Sequence, residues 1–259
     1  MKFALVNGHK AEPQRGLRGT CDICQSVTIA KCGDERIKHW AHKNTVLCDP
    51  WWENETEWHR AWKNRFPTEW QEIIHKDSTT GEIHKADIKT ASGLIIEFQR
   101  SAIQPTETQS RETFYKNMVW VVDGTRLKKD YPRFCKGFND LNPLKIPGIF
   151  LSLFPNECFA GSWLNSSVPV YFDFQDNQQD KLRSVLWCLF PGRVEGVAVV
   201  AGVPREDFIN FSSKAPHLLF AREMLSNISQ LMQLQRAEAV RRKYPQVAPY
   251  RQYTRKFRL

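Results

Sequence analysis

Two short apolar strands carry polar side chains of the types that bind a divalent cation. Ile83 to Lys89 alternates apolar and polar residues and contains Asp87, while Leu94 to Gln99 is an apolar run broken by Glu97 and Gln99. A carboxylate inside an apolar strand needs a compensating partner, and carboxylate oxygens are ligands that magnesium prefers. The pattern predicts a hairpin on which Asp87 and Glu97 share Mg²⁺ (or Mn²⁺), or else a surface hairpin with one polar edge.

A second group of metal-binding residue types lies near the N-terminus. Cys21 and Cys24 have the two-residue spacing of a zinc knuckle, and His42 and Cys48 follow within the length of one small module. We favour these four as the ligands of a structural Zn²⁺ in a zinc ribbon. Two other residues compete for the same tetrahedral ion, namely Cys32 and His39.

The hairpin needs neighbouring elements that position it, and a tryptophan-rich segment before it predicts a helix. Asn54 is a good N-cap, and Pro67 ends the run. Helical spacing then places Glu55, His59 and Lys63 on one face, which is either solvated or part of a site beside the hairpin. The tryptophans are expected to pack in the core rather than to stack on bases.

Further periodic segments complete a regular order of elements. Trp70 to His75 is predicted as a strand before the hairpin, Pro105 to Asn117 as a helix, and Met118 to Val122 as a strand. The resulting order of helix, three strands, helix and strand predicts an α/β sandwich in which the acidic hairpin faces the first helix.

The length, hydrophobic content and net charge of the chain are those of a globular protein with a basic surface. The chain has 259 residues, of which 41% are hydrophobic, and a formal net charge of +9, which favours a polyanionic partner such as DNA. No run approaches the ~20 apolar residues of a membrane span, and the N-terminal apolar segment is too short for a signal peptide. We therefore expect a cytoplasmic protein whose seven cysteines are thiols or metal ligands.

The C-terminal half carries no recognisable catalytic group of residues. Short apolar runs between residues 149 and 203 predict strands, whereas Gln179 to Leu189 and Ala221 to Val240 predict helices. Arg241 to Leu259 has seven basic and no acidic side chains, so this tail either binds phosphates or stays disordered. The predicted organisation is a zinc module (1–50), an α/β domain (51–148), an α+β domain (149–240) and a basic tail (241–259).

Many short motifs follow one another over about residues 15 to 125. They are Cys21 and Cys24, His39-Trp40-Ala41-His42, Glu55-Thr56-Glu57-Trp58-His59 with Lys63, Lys85-Ala86-Asp87, Glu97-Phe98-Gln99 with Ser101, and Arg111 with Tyr115. Their order resembles that of the competence protein CoiA-like family. The resemblance implies a nuclease domain of the PD-(D/E)XK superfamily, with a restriction-endonuclease-like mixed sheet flanked by helices and a zinc-binding module before it.

By motif matching, the resemblance implies that Glu55, Asp87 and Glu97 form the acidic metal-binding set. Gln99 stands where the superfamily usually has a lysine, and a neutral amide orients water without supplying positive charge. Lys85 or Lys63 is a candidate to supply that charge. His59 is expected either to contact the scissile phosphate or the water, or to bond to a neighbouring carboxylate.

The sequence thus predicts a Mg²⁺-dependent deoxyribonuclease that hydrolyses phosphodiester bonds of single- or double-stranded DNA in uptake, recombination or defence. Catalytic roles are expected for Glu55, His59, Asp87, Glu97 and Gln99. One alternative is an inactive DNA-binding accessory protein that keeps the fold. Another is an interaction module whose C-terminal half recruits a protein partner.

Overall fold

A computed structural model describes residues 1–44, 48–51, 53–177, 179–214 and 217–243. Within these residues the chain forms two sheets and five α-helices. The strands are β1 (Ala4–Val6), β2 (His9–Ala11), β3 (Arg18–Thr20), β4 (Val27–Lys31), β5 (His39–His42), β6 (Gln71–Lys76), β7 (Ile83–Lys89), β8 (Ile95–Gln99), β9 (Met118–Asp123), β10 (Asn142–Pro143), β11 (Ile149–Ser152), β12 (Val170–Asp173), β13 (Val185–Leu189) and β14 (Ala198–Pro204). The helices are α1 (Glu57–Lys63), α2 (Pro105–Tyr115), α3 (Asp130–Phe138), α4 (Arg205–Lys214) and α5 (His217–Lys243).

The first five strands form a small antiparallel sheet in the order β2-β1-β3-β4-β5. Its apolar interior is small and includes Phe3, Ala4 and Trp40. The Trp40 indole donates a hydrogen bond to the Ala11 carbonyl at 2.9 Å, which ties the two ends of the sheet together. We call this sheet, with the loop that carries Cys48, the N-terminal module.

The other nine strands form one mixed sheet in the order β10-β11-β14-β13-β12-β9-β8-β7-β6. Strands β8, β9 and β12 are parallel, and the remaining pairs are antiparallel. The predicted order of helix, three strands, helix and strand is found as α1, β6 to β8, α2 and β9, and β7 has the predicted bounds. The mixed α/β architecture is therefore confirmed.

The sheet continues without a break across residue 148, where a domain boundary was predicted. β12 pairs in parallel with β9, so strands from both predicted domains are neighbours. The two apolar cores also contain residues from both sides of that boundary. Helices α2 and α3 contribute to one core, and α1, α4 and α5 contribute to the other.

Two local predictions were wrong. The segment predicted as a helix from Gln179 to Leu189 ends in strand β13, because its apolar run is hydrogen-bonded between β12 and β14, and a short apolar run does not distinguish a buried strand from a helix. Helix α1 has its N-cap at Thr56 rather than at Asn54, so Glu55 precedes the helix. The hydroxyl of Thr56 accepts a bond from the backbone N–H of His59 at 3.4 Å.

The long C-terminal helix extends past its predicted bounds and ends with the exposed residues 241–243. The rest of the predicted basic tail, residues 244–259, lies outside the described residues. Within the described ranges, no helix is long and apolar enough to cross a membrane.

A candidate metal centre and an adjacent acidic cluster

The four residues favoured as zinc ligands lie together in the N-terminal module. One ligand atom from each of Cys21, Cys24, His42 and Cys48 falls within 4.8 Å of all the others. The first two are brought together by a tight turn in which the Gln25 N–H donates to the Cys21 carbonyl at 3.0 Å, and Gln25 takes a positive φ of 59°. We call this group the Cys/His cluster.

The geometry of this cluster suits a tetrahedral metal ion such as zinc. The Sγ atoms of Cys21 and Cys48 are 3.9 Å apart, close to the ~3.8 Å edge expected for a tetrahedron with Zn–S bonds of ~2.3 Å. The rival residues, His39 and Cys32, are not members of the cluster. His39 instead contacts the Ile37 carbonyl through Nδ1 at 2.9 Å.

Asp87 and Glu97 face each other where strands β7 and β8 separate. The register pairs Ile88 with Ile96, and beyond that pair carboxylate side chains, rather than backbone carbonyls, accept hydrogen bonds from the opposite strand. Glu97 Oε1 accepts from the Asp87 N–H at 3.2 Å, and Asp87 Oδ2 accepts from the Phe98 N–H at 3.0 Å. The two carboxylates are thereby fixed next to each other by the opposite strand.

The ammonium group of Lys63 lies between three carboxylates. Its Nζ is 2.8 Å from Asp87 Oδ1, 3.2 Å from Glu72 Oε1 and 3.5 Å from Glu55 Oε1. Burial alone would lower the pKa of Lys63, but the three carboxylates outweigh it and raise that pKa well above its ordinary value. Lys63 is therefore charged and neutralises part of the site. We call Glu55, Glu72, Asp87 and Glu97 the acidic cluster.

Glu97 is the member of this cluster whose charge is least well compensated. It is buried, and burial together with the negative charge of Asp87 raises its pKa to about 8. The Arg111 guanidinium, at 3.1 Å from Glu97 Oε2, opposes this rise in part. Arg111 is itself held by α2 and by the Trp51 carbonyl, to which it donates at 2.7 Å.

His59 and Gln99 gather around a different carboxylate, that of Glu53. His59 Nε2 is 2.6 Å from Glu53 Oε1 and 2.8 Å from the Phe98 carbonyl, and its Nδ1 is 2.9 Å from the Thr56 hydroxyl. The Gln99 amide donates to Glu53 Oε2 at 3.0 Å, while Gln99 Oε1 has no hydrogen-bond partner among the residues that the structure describes. Both ring nitrogens of His59 are thus engaged within the protein.

The tryptophans of α1 are buried in the core, as predicted, and they fix that helix on the sheet. The indole N–H groups of Trp58 and Trp62 both donate to Asp173 Oδ2 at 2.9 Å. Asp173, at the end of β12, also pairs with Arg205 of α4. A strand and a helix of the C-terminal half therefore position the helix that carries His59 and Lys63.

A cavity of about 330 Å³ joins the two clusters. The N-terminal module contributes His42 and Cys48 to its wall, and the large sheet and the segment just before α1 contribute the whole acidic cluster. Glu53, His59 and Lys63 line the cavity too, whereas Gln99 is not part of its wall. The acidic cluster and two of the candidate metal ligands thus line the same cavity.

Sequence reasoning missed Glu53 and Glu72. Glu53 lies in the tryptophan-rich segment, where its negative charge close to His59 was a signal, although no regular spacing marked it. Glu72 is in the strand that was predicted before the hairpin, but its contacts are with Lys63 and with residues 2 and 3. Of the two lysines considered as sources of positive charge, Lys63 contacts Asp87, and Lys85 pairs with Asp22 of the N-terminal module.

The acidic cluster fits a metal ion less completely than the Cys/His cluster does. Its oxygen donors are the type that magnesium prefers, and a bound cation would oppose both burial and the negative charge of Asp87, which raise the pKa of Glu97. Yet within the described ranges only the Cys/His cluster has three or more ligand atoms within 4.8 Å of one another. Lys63 occupies the space in which Glu55, Glu72 and Asp87 converge.

Comparisons with models of protein families, with curated proteins and with solved structures gave no match to this chain.

Proposed function

We propose that this protein is a metal-dependent deoxyribonuclease of the PD-(D/E)XK superfamily with an N-terminal zinc ribbon, as its resemblance to the CoiA-like family implies. The observation that carries the proposal is the common wall of one cavity, in which Glu55, Asp87 and Glu97 lie beside a buried lysine. The order of elements around them, from α1 through β9, is the order that the motifs predict.

Each side chain of the site has a role in this proposal. Asp87 and Glu97 would hold Mg²⁺ or Mn²⁺, with Glu55 completing the acidic set. The ion, when bound, supplies a water of lowered pKa and stabilises negative charge on the phosphate. Lys63 supplies the positive charge that Gln99 lacks, because its ammonium is beside Asp87.

Gln99 and His59 act through Glu53 in this scheme. The Gln99 amide donates to Glu53, and His59 pairs with the same carboxylate on the wall of the cavity. Glu53 is then the group that faces a water molecule in the cavity, and Gln99 orients that carboxylate. Loss of Gln99 should accordingly cost less activity than loss of Asp87.

DNA is the proposed substrate because the chain is basic and the cavity offers groups that suit phosphodiester chemistry. The net charge of +9 favours a polyanion. The three basic residues that end α5 are exposed, and they begin the segment predicted to contact phosphates. Removal of that segment should weaken DNA binding evenly across sequences without abolishing cleavage.

A cleavage assay tests the proposal. Plasmid and single-stranded DNA are incubated with the protein and Mg²⁺ or Mn²⁺, then with a chelator. We expect metal-dependent cleavage that is lost in Asp87→Asn, which keeps an acceptor for the Phe98 N–H and removes the charge. Glu69→Gln is the matched control, because Glu69 is exposed and outside the cavity. Full cleavage by Asp87→Asn would remove the nuclease site from the hairpin.

A specific observation favours a second candidate, a DNA-binding accessory protein without cleavage. The Lys63 ammonium contacts three carboxylates and offsets part of their charge, so the cluster has an internal cation where a metal ion would otherwise lie. In this case the wild-type protein binds DNA but leaves it intact with either metal. Asp87→Asn would then change binding only slightly.

A further inference from the structure

Glu72 adopts a backbone conformation that glutamate rarely takes. Its φ is +48°, in the left-handed region that favours glycine and is uncommon for other residues. In the register of β6 and β7, Gln71 pairs with Ile88 and Ile73 with Ala86, so Glu72 lies opposite Asp87. Such a strained residue persists only where its surroundings hold it firmly, and it is often found at a functional site.

The N-terminal module holds Glu72 at both its side chain and its backbone. The backbone N–H groups of Lys2 and Phe3 donate to the two carboxylate oxygens, at 2.7 and 3.1 Å. The ammonium of Lys10, in β2, donates to the Gln71 carbonyl and lies 3.5 Å from the Glu72 carbonyl oxygen. The contacts that maintain the strained conformation thus come from a different sheet.

The same carboxylate reaches the acidic cluster. Glu72 Oε1 accepts from both the Lys2 N–H and the Lys63 ammonium, and Lys63 in turn contacts Asp87. Although burial would raise the pKa of Glu72, the positive charges of Lys63, the N-terminal ammonium and Lys85, together with the hydrogen bond from the Lys2 N–H, outweigh it and lower that pKa. One ionised carboxylate therefore joins the start of the N-terminal module to the lysine beside Asp87.

We propose that Glu72 is a positioning residue that couples docking of the N-terminal module to the placement of Lys63 beside Asp87. The inference rests on the proposed function in one respect, since it takes Asp87 and Lys63 as parts of an active site. In structural terms, Glu72 couples the small N-terminal sheet to the large mixed sheet. The acidic cluster has its full arrangement only when the N-terminal module is docked.

Glu72→Gln in the full-length, zinc-loaded protein tests this coupling, since it keeps the size of the side chain and removes its charge. The matched control is Glu12→Gln, because Glu12 also pairs with Lys2 but is exposed and does not reach Lys63. Amide hydrogen exchange is measured at Lys2 and Phe3, and the ¹H–¹⁵N signal of the Lys63 ammonium is followed by NMR.

In Glu72→Gln we expect amide exchange at Lys2 and Phe3 to be about tenfold faster or more, because charge-assisted hydrogen bonds are lost. The Lys63 ammonium signal should broaden or disappear in the same variant, and zinc content should stay unchanged. Glu12→Gln should leave both measurements as in the wild type. An unchanged Lys63 signal in a Glu72→Gln protein with faster amide exchange would overturn the coupling.

Glu72→Gly provides a second variant in case the first does not fold. Glycine suits the left-handed conformation, so this variant removes the carboxylate and relieves the backbone strain. The same two effects are expected from it, and their absence contradicts the proposal. Neither measurement depends on cleavage, so an inactive wild-type protein would refute the nuclease function and leave this test valid. If cleavage is present, kcat should fall in both variants while KM changes little.

Discussion

The Cys/His cluster and the acidic cluster face one cavity, and they differ in how their negative charge is balanced. In the first, four ligand atoms face one another within 4.8 Å, as tetrahedral coordination requires. In the second, three carboxylates converge on the ammonium of Lys63. We expect a cluster that contains its own cation to need a metal ion less than a cluster of thiols, whose folding is coupled to metal binding. We therefore expect the two clusters to depend on a metal ion to different degrees.

The largest effect should come from breaking the Cys/His cluster. We expect the double variant Cys21→Ser, Cys24→Ser to lose its metal and the fold of the N-terminal module, because apparent binding free energies of structural zinc are about 10–16 kcal/mol and this sheet has a small core. Elemental analysis of zinc per chain and solubility of the purified protein measure the effect.

Cys32→Ser is the matched control for the double variant, since Cys32 is a cysteine of the same module outside the cluster. It should retain zinc and solubility. A soluble double variant with the zinc content of the wild type would show that these two thiols are not ligands.

Removing the internal cation of the acidic cluster should have the next largest effect. Lys63→Met leaves Glu55, Glu72 and Asp87 without their shared partner, and breaking a buried ion pair costs about 3–5 kcal/mol. Mg²⁺ should restore part of this stability, because the variant resembles the Cys/His cluster in needing a metal. Urea denaturation with and without Mg²⁺ measures both effects.

Lys63→Arg is the companion variant, since it keeps the positive charge and should stay close to the wild type in its response to Mg²⁺. The comparison between the two clusters would be wrong if Lys63→Met were as stable as the wild type in the absence of metal. The comparison would also be contradicted if Mg²⁺ stabilised Lys63→Met and Lys63→Arg to the same degree.

The two clusters also differ in how far the sequence predicts them. The four members of the Cys/His cluster were identified because a two-residue spacing fixes a knuckle, and its other ligands follow within one small module. Of the acidic cluster, Asp87 was placed correctly on its strand by the alternation of apolar and polar residues, and Glu97 on the neighbouring strand by an apolar run. Local spacing and alternation were sufficient to identify these residues.

The sequence did not identify Glu72 and Glu53 as parts of the site because tertiary structure determines which residues they contact. Glu72 contacts the backbone of Lys2, 70 residues away, through a positive φ that no sequence pattern signals in a glutamate. The N-cap of α1 shows the same limit on a smaller scale. Asn54 and Thr56 are both residue types that cap helices well. Thr56 is the N-cap in the structure, and Glu55, just before it, pairs with Arg60 and Lys63.

The last expected effect concerns the pH dependence of stability and centres on Glu97, the carboxylate that Lys63 does not contact directly. Its ordinary pKa is 4.5, and in the folded protein it is raised to about 8, so between these values the folded state binds a proton that the unfolded state releases. This contribution to stability is full below pH 4.5 and is lost as the pH rises through about 8. The slope is at most about 1.4 kcal/mol per pH unit.

Glu97→Gln should therefore flatten the pH dependence of the free energy of unfolding over this window, because the amide does not titrate. Above pH 8 the variant should be more stable than the wild type, whose Glu97 is then ionised beside Asp87. Urea denaturation at several pH values measures the difference, with Glu69→Gln as the control for loss of an exposed carboxylate. Mg²⁺ should reduce the wild-type slope and leave the slope of Glu97→Gln unchanged, since a bound cation favours the ionised carboxylate. Parallel pH profiles for wild type and Glu97→Gln would show that the acidic cluster carries no excess negative charge for a metal ion to balance.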